Sequence, residues 1–89
     1  MDNYQNKAYN SSSIKLKKRE NDLINLLRRD LKKDFNGNIL DIGCASGNLL
    51  IALSKKFPRA QLLGIDGHKL CIDLANKKAR KIKNCKFSN

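Results

Sequence analysis

Two short apolar runs constrain the fold of this chain more than any other feature. They are "NILDI" at residues 38–42 and "QLLGID" at residues 61–66, and both are short and rich in branched aliphatic residues, as buried strands are. Apolar residues recur at helical spacing over residues 49–57 and again over residues 69–81, and "CKFS" then begins to resemble a third strand. Strands that alternate with helices of this length form parallel sheets with right-handed crossovers. The sequence therefore predicts an α/β fold.

A further helix precedes the first strand. Its apolar stripe consists of leucines at a spacing of four, Leu23, Leu27 and Leu31. Ser12 or Ser13 is expected as its N-cap, and Gly37 in "FNGN" is expected as its left-handed C-terminal cap. Residues 1–13 are polar and without periodicity, which predicts a disordered tail or a short lid. Residues 14–89 are then expected to form the single domain, with no internal repeat and no linker.

The amino-acid composition is typical of a globular protein. The chain has 89 residues, of which 40% are hydrophobic and 30% charged, as in ordinary globular domains. No apolar stretch approaches the roughly 18 residues of a membrane span, and the N-terminus has no apolar core of signal-peptide type. We therefore expect a cytoplasmic protein. The three cysteines, Cys44, Cys71 and Cys85, are far apart in the sequence, and the chain has one His. This pattern predicts neither a disulfide framework nor a metal site.

The net charge of +11 is large for this length and has two interpretations. One is a partner that carries phosphates, such as RNA or an anionic lipid surface. The other is solvated helix faces, because the clusters "KLKKRE", "RRDLKK" and "KKARKIK" all fall within helical patterns. The second interpretation needs no partner, and nucleic-acid binding stays open as an alternative.

The stretch "DIGCASG" after the first strand carries the functional signal. The chain must turn sharply after Ile42, and Gly43 and Gly47 permit that turn and let a ligand approach the backbone closely. Open α/β sheets bind ligands beyond the carboxyl ends of their strands, and Asp66 ends the second strand at that same edge. A carboxylate there can accept hydrogen bonds from the two hydroxyls of a ribose. The structural alternatives are a plain tight turn for the glycines and a helix N-cap for Asp66.

A dinucleotide-binding loop fits this stretch poorly. The G-x-G-x-x-G fingerprint that begins at Gly43 would need glycine at positions 45 and 48. Ala45 and Asn48 stand there instead. The sequence therefore disfavours an NAD-dependent enzyme.

The sequence resembles the class I S-adenosylmethionine-dependent methyltransferases over about residues 35–88. Their first motif is an acidic residue followed by glycines at alternate positions, and the matching residues here are Asp41, Gly43, Ala45 and Gly47. Their second motif is an acidic residue that ends the second strand, which Asp66 matches. Alanine in place of the middle glycine is a mild departure that should narrow the loop without closing it.

The resemblance implies a Rossmann-like parallel sheet with flanking helices, and S-adenosyl-L-methionine as the cofactor. The implied cofactor-binding residues are Asp41, Gly43, Ala45, Gly47, Asp66, Gly67 and His68. Asp41 and the loop would surround the methionine end, Asp66 would bind the ribose hydroxyls, and Gly67 with His68 would lie along the adenine edge. The alternative for His68 is a surface residue in the first turn of the third helix.

The resemblance also implies that the fold is incomplete. Family members have more strands and longer chains, and their strand equivalent to "ILDI" is paired on both sides. The order here is an N-terminal helix followed by β-α-β-α-β, which leaves a bare sheet edge that can pair with something else. We therefore expect an N-terminal fragment or truncated product that is inactive alone, with no nameable catalytic residue and an open methyl acceptor. The alternative function is a basic, non-enzymatic RNA-binding module.

Overall fold

A computed structural model describes residues 15–89. The elements in chain order are α1 (Lys18–Asp30), β1 (Asn38–Ile42), α2 (Asn48–Lys56), β2 (Gln61–Ile65), α3 (Lys69–Lys78) and β3 (Cys85–Ser88). This order confirms the expected helix followed by β-α-β-α-β. The expectations for residues 1–13, including an N-cap at Ser12 or Ser13, lie outside the described residues.

The three strands form one parallel sheet in the order β1-β2-β3. Leu62 of β2 lies opposite Cys85 of β3, and both are buried together with Phe87. Both crossovers step in the same direction across the sheet, and right-handed connections then place α2 and α3 on the same face. The core lies between that face and the helices, and its largest fully buried side chains are Leu50, Ile51, Leu53 and Phe57.

The other face of the sheet is exposed along β1. Leu40 is 55% exposed and Ile42 is 78% exposed, and Leu63 of β2 on the same face is 39% exposed. The expectation that "NILDI" is a buried strand is therefore wrong for this face, because α2 and α3 both cover the opposite one. β1 is also the edge of the sheet, so one side of its backbone has no strand beside it among residues 15–89.

α1 ends earlier than expected, and Gly37 does not cap it. The helix stops at Asp30, and Leu31 is the C-cap in an extended conformation. Gly37 instead makes room for the Phe35 ring, since a Cβ at Gly37 would lie 2.5 Å from Phe35 Cζ. That ring packs edge-to-face on Phe57, with 6.3 Å between centroids. The packing of Phe35 on Phe57 therefore explains why residue 37 is a glycine.

α3 is also shorter than expected, because it ends at Lys78. The chain then closes a turn in which the Ile82 N–H donates to the Ala79 carbonyl at 2.8 Å.

Within residues 15–89, no helix combines the length and the apolar character that crossing a membrane requires. Cys44 and Cys85 are buried, whereas Cys71 is only half-buried.

Gly47 provides a test of how the fold holds the loop before α2. Its φ is +83°, and an added Cβ would lie 2.5 Å from Phe87 Cζ and 3.1 Å from Ala75 Cβ. We expect Gly47→Ala to lower the free energy of unfolding by about 2–4 kcal/mol, because it combines left-handed strain with overpacking. Urea denaturation of the chain measures this. Gly67→Ala is the matched control, since nothing lies within 4 Å of a Cβ there, and an equal loss in both variants would contradict the assignment.

Candidate functional site

The loop between β1 and α2 has positive φ at alternate residues. The values are +81° at Gly43, +51° at Ala45 and +83° at Gly47. A left-handed conformation costs an L-residue roughly 1–2 kcal/mol, so this alternation explains why the motif favours glycine at every second position. Ala45 keeps the loop in this shape although it carries the strain that a glycine would avoid.

Backbone hydrogen bonds hold the start of the loop against the end of β2. The N–H groups of Gly43 and Cys44 donate to the Ile65 carbonyl at 2.7 and 3.1 Å. Gly47 then donates to the Cys44 carbonyl at 3.0 Å, which closes the turn into α2. The loop is thereby fixed next to the residue that follows β2, which is Asp66.

The Asp66 carboxylate joins the two motif segments. Its Oδ2 accepts the Ala45 N–H at 2.9 Å, and its Oδ1 accepts the His68 N–H at 2.8 Å. These bonds, that from His68 first, lower the pKa of Asp66 below its ordinary value of 3.8. The ionised carboxylate therefore stabilises the fold above that value, and the contribution is lost as the pH falls below it. Each oxygen keeps a lone pair for a further donor.

His68, and not Asp66, is the N-cap of α3. Its Nδ1 accepts the Cys71 N–H at 3.4 Å, and the residue is exposed. The N-cap position, which was the structural alternative for Asp66, is thus occupied by His68, two residues later in the chain. The Asp66 carboxylate instead bridges the start of α3 and the loop after β1.

Asp41 is the penultimate residue of β1 and forms no ion pair within residues 15–89. Partial burial raises the pKa of its carboxyl, and the nearby carboxylates of Glu20 and Asp66 raise it further. No residue in the described part of the chain donates a hydrogen bond to this group. Its ionisation therefore opposes folding increasingly as the pH rises through the raised pKa.

A cavity of about 340 Å³ opens between this loop and the start of α1. Its lining residues are Lys17, Arg19, Glu20, Leu23, Asp41, Gly43, Cys44, Ala45 and Leu49. It brings together three of the predicted site residues, whereas Gly47, Asp66, Gly67 and His68 do not line it. The α1 residues were missed by sequence reasoning, because they belong to no motif and only the folding of α1 brings them beside the loop.

Comparison with known proteins independently tests the resemblance to methyltransferases. Residues 33–89 match a protein family described as a methyltransferase domain. Over 54 residues the chain is 43% identical to an uncharacterised protein of Rickettsia prowazekii, covering 58% of this chain and 10% of that protein. It is 33% identical over 64 residues to a carboxy-S-adenosyl-L-methionine synthase of Helicobacter pylori, covering 68% of this chain and 27% of the synthase.

A solved structure shows the same arrangement. PKMT2 from Rickettsia typhi, in complex with AdoHcy, superposes with a TM-score of 0.57 at 34% sequence identity, covering 60% of this chain and 11% of that one. The chain thus spans little of the length of the proteins that it resembles. The family match covers more than half of the chain and confirms both the S-adenosylmethionine-dependent class expected from the two motifs and the cofactor of that class. This chain belongs to the methyltransferase domain family.

Proposed function

We propose that the site binds S-adenosyl-L-methionine, with Asp66 accepting hydrogen bonds from the ribose hydroxyls. The observation that carries this proposal is the 2.9 Å hydrogen bond from the Ala45 N–H to Asp66 Oδ2, because it links the first motif to the second. The remaining lone pairs of that carboxylate suit two vicinal hydroxyls. Gly67 and His68 follow directly, and in this proposal they lie along the adenine edge.

The loop residues fit the methionine end of the cofactor. Nothing lies within 4 Å of a Cβ built on Gly43, so the backbone there is open to a ligand. The pKa of Asp41 is raised, and its carboxylate forms no ion pair within residues 15–89, which suits a ligand with a positive charge. The bound cofactor would supply an electrophilic methyl group, and the protein's part in such a transfer is chiefly alignment of the acceptor.

We propose that methyl transfer requires more protein than these 89 residues. The described residues offer no second wall to hold an acceptor, and the imidazole nearest the site, that of His68, caps a helix. The exposed side chains of Leu40 and Ile42 and the free edge of β1 are the surfaces that additional protein would cover. In this proposal the chain alone binds the cofactor and transfers nothing.

Ligand-dependent stability tests the assignment of Asp66. At a concentration 100-fold above Kd, S-adenosylhomocysteine should stabilise the wild-type chain by about 2.7 kcal/mol. Asp66→Asn should lose about 1.4 kcal/mol of that stabilisation for each tenfold loss of affinity, since an amide replaces one of two acceptor oxygens. Thermal denaturation with and without ligand measures both. Asp73→Asn is the matched control, because Asp73 pairs with Lys69 on the surface of α3.

A second variant tests the role of Asp41. We expect Asp41→Asn to weaken S-adenosylhomocysteine binding while raising the stability of the ligand-free chain at pH 7, by up to about 0.5 kcal/mol because solvent screens a partly exposed group. The gain should disappear below pH 3.8, where the wild-type carboxyl is itself protonated. Urea denaturation across pH measures it. A loss of stability at neutral pH would contradict the assignment.

A second candidate function is binding of RNA at the opposite end of the sheet. A cavity of about 410 Å³ lies between the C-terminal ends of α1 and α2, and its lining residues are Arg28, Leu31, Lys33, Lys55, Lys56 and Phe57. Four of these six side chains are cationic, which suits a phosphate backbone. The same cations also complement the helix dipoles, so the site needs a direct test.

Salt dependence provides that test. If the basic end binds RNA, affinity for a single-stranded RNA should fall steeply with salt, and Lys55→Gln combined with Lys56→Gln should reduce the slope of log K against log salt by about 1.4, or about 0.7 for each contact. Fluorescence anisotropy measures this. Lys69→Gln, at the other end of the molecule, should leave the slope unchanged. RNA affinity that does not vary with salt would contradict this second candidate.

A further inference from the structure

A groove runs between α1 and α2, and none of the motif-loop residues lines it. It consists of two cavities, one of about 240 Å³ beside the first half of α1 and the one of about 410 Å³ beside the end of that helix. Both cavities are bordered by Lys55 and Lys56 of α2, so they adjoin along one boundary between the two helices. The smaller cavity adds to the lining described above Leu16, Asn21, Ile24, Ile51 and Ala52.

The groove has an apolar floor. Ile24 and Ile51 belong to the buried core where α1 meets α2. Leu16 and Ala52 line the same cavity and are only half-buried, and Leu31 is half-buried in the larger cavity. Within residues 15–89, no side chain fills the space beside them. Covering such apolar surface stabilises a complex by about 25 cal/mol for each Å² removed from water.

The rim of the groove is cationic. Arg28, Lys33, Lys55 and Lys56 are exposed, and none of them forms an ion pair within residues 15–89. The described residues that line the two cavities include no carboxylate. Three of the four cations lie in the last turn of a helix, where they complement its dipole. The dipoles do not account for the open apolar surface between these cations.

Floor and rim together define the chemistry of an occupant. An acidic amphipathic helix presents an apolar stripe to the floor and carboxylates to the rim. RNA matches only the cations, because Phe57, the aromatic residue in the described lining, is 1% exposed and offers no face for base stacking. Residues 1–14 of this chain contain one acidic residue and one Lys, so that segment has no net negative charge to offer the rim. The occupant is therefore another protein.

We propose that the groove between α1 and α2 binds an acidic amphipathic helix of a partner protein. The apolar stripe of that helix packs on Leu16, Leu31 and Ala52, and its carboxylates pair with the four cations of the rim. The groove extends along α1, which has 13 residues, so it accommodates a helix of roughly 20 Å. The inference goes beyond cofactor binding and does not depend on it, because the loop after β1 lies outside the groove.

Four labelled probes test the inference when the 89-residue chain is titrated by fluorescence anisotropy. The first is a peptide of about 14 residues with leucines at i, i+3, i+4 and i+7 spacing and glutamates between them. The second has the same composition in scrambled order, the third has Gln in place of every Glu, and the fourth is a single-stranded RNA. The first peptide should bind at least about tenfold more tightly than the second and the third, because each of those lacks the apolar stripe or the charge.

Two variants locate the binding surface. Lys55→Gln combined with Lys56→Gln removes two cations from the rim, and Ala52→Glu places a carboxylate beside the floor. Each should weaken the first peptide about tenfold while circular dichroism shows an unchanged fold. The matched control is Lys32→Gln combined with Arg59→Gln, which removes the same charge from exposed residues that line neither cavity. It should leave the affinity unchanged.

Three results would overturn the inference. Equal affinity for the first and the scrambled peptide would show that the floor takes no part. Equal losses in the Lys55–Lys56 variant and in the matched control would show that net charge alone attracts the peptide. Binding of RNA without binding of the first peptide would assign the rim to the second candidate function instead, and binding of neither would leave the groove without an occupant of this chemistry.

Discussion

The carboxylate of Asp66 is the group on which the rest of the site depends. It accepts one N–H from the loop after β1 and one from the start of α3, so a single side chain sets the relative position of two segments that are distant in sequence. The loop needs such an anchor because Ala45 holds a left-handed conformation that an L-residue rarely adopts. The same two oxygens are the proposed ribose acceptors. Under the proposed function, stability of the loop and recognition of the ligand share one functional group.

Sequence periodicity was sufficient to predict the order of the elements. The short apolar runs "NILDI" and "QLLGID" contain Asp41 and Asp66 at or next to their last position, and the parallel order brings both acids to one edge of the sheet. The end of α1 could not be predicted in the same way. Gly37 looks like a helix cap in the sequence, but the packing of Phe35 against Phe57 accounts for it, and that contact joins residues far apart in the chain.

The α1 side of the site was also beyond sequence reasoning, for the same physical reason. Lys17, Arg19 and Glu20 resemble the solvated residues that start many helices, and local sequence does not show which of them face a cavity. They line the same cavity as Asp41 because α1 packs beside the loop after β1, with Ile24 buried in the common core. A site assembled from a motif and a neighbouring helix shows only its motif half in the sequence.

The two faces of β1 differ in how far they are covered within residues 15–89. Alternation along the strand directs Asp41 towards the 340 Å³ cavity beside α1, and it directs Leu40 and Ile42 to the uncovered face. Protein added over Leu40 and Ile42 would therefore approach the motif loop from the side opposite α1, without displacing the residues that line the cavity. Under the proposed function, the cofactor is bound on the α1 side of β1, and an acceptor is held by protein that covers Leu40 and Ile42.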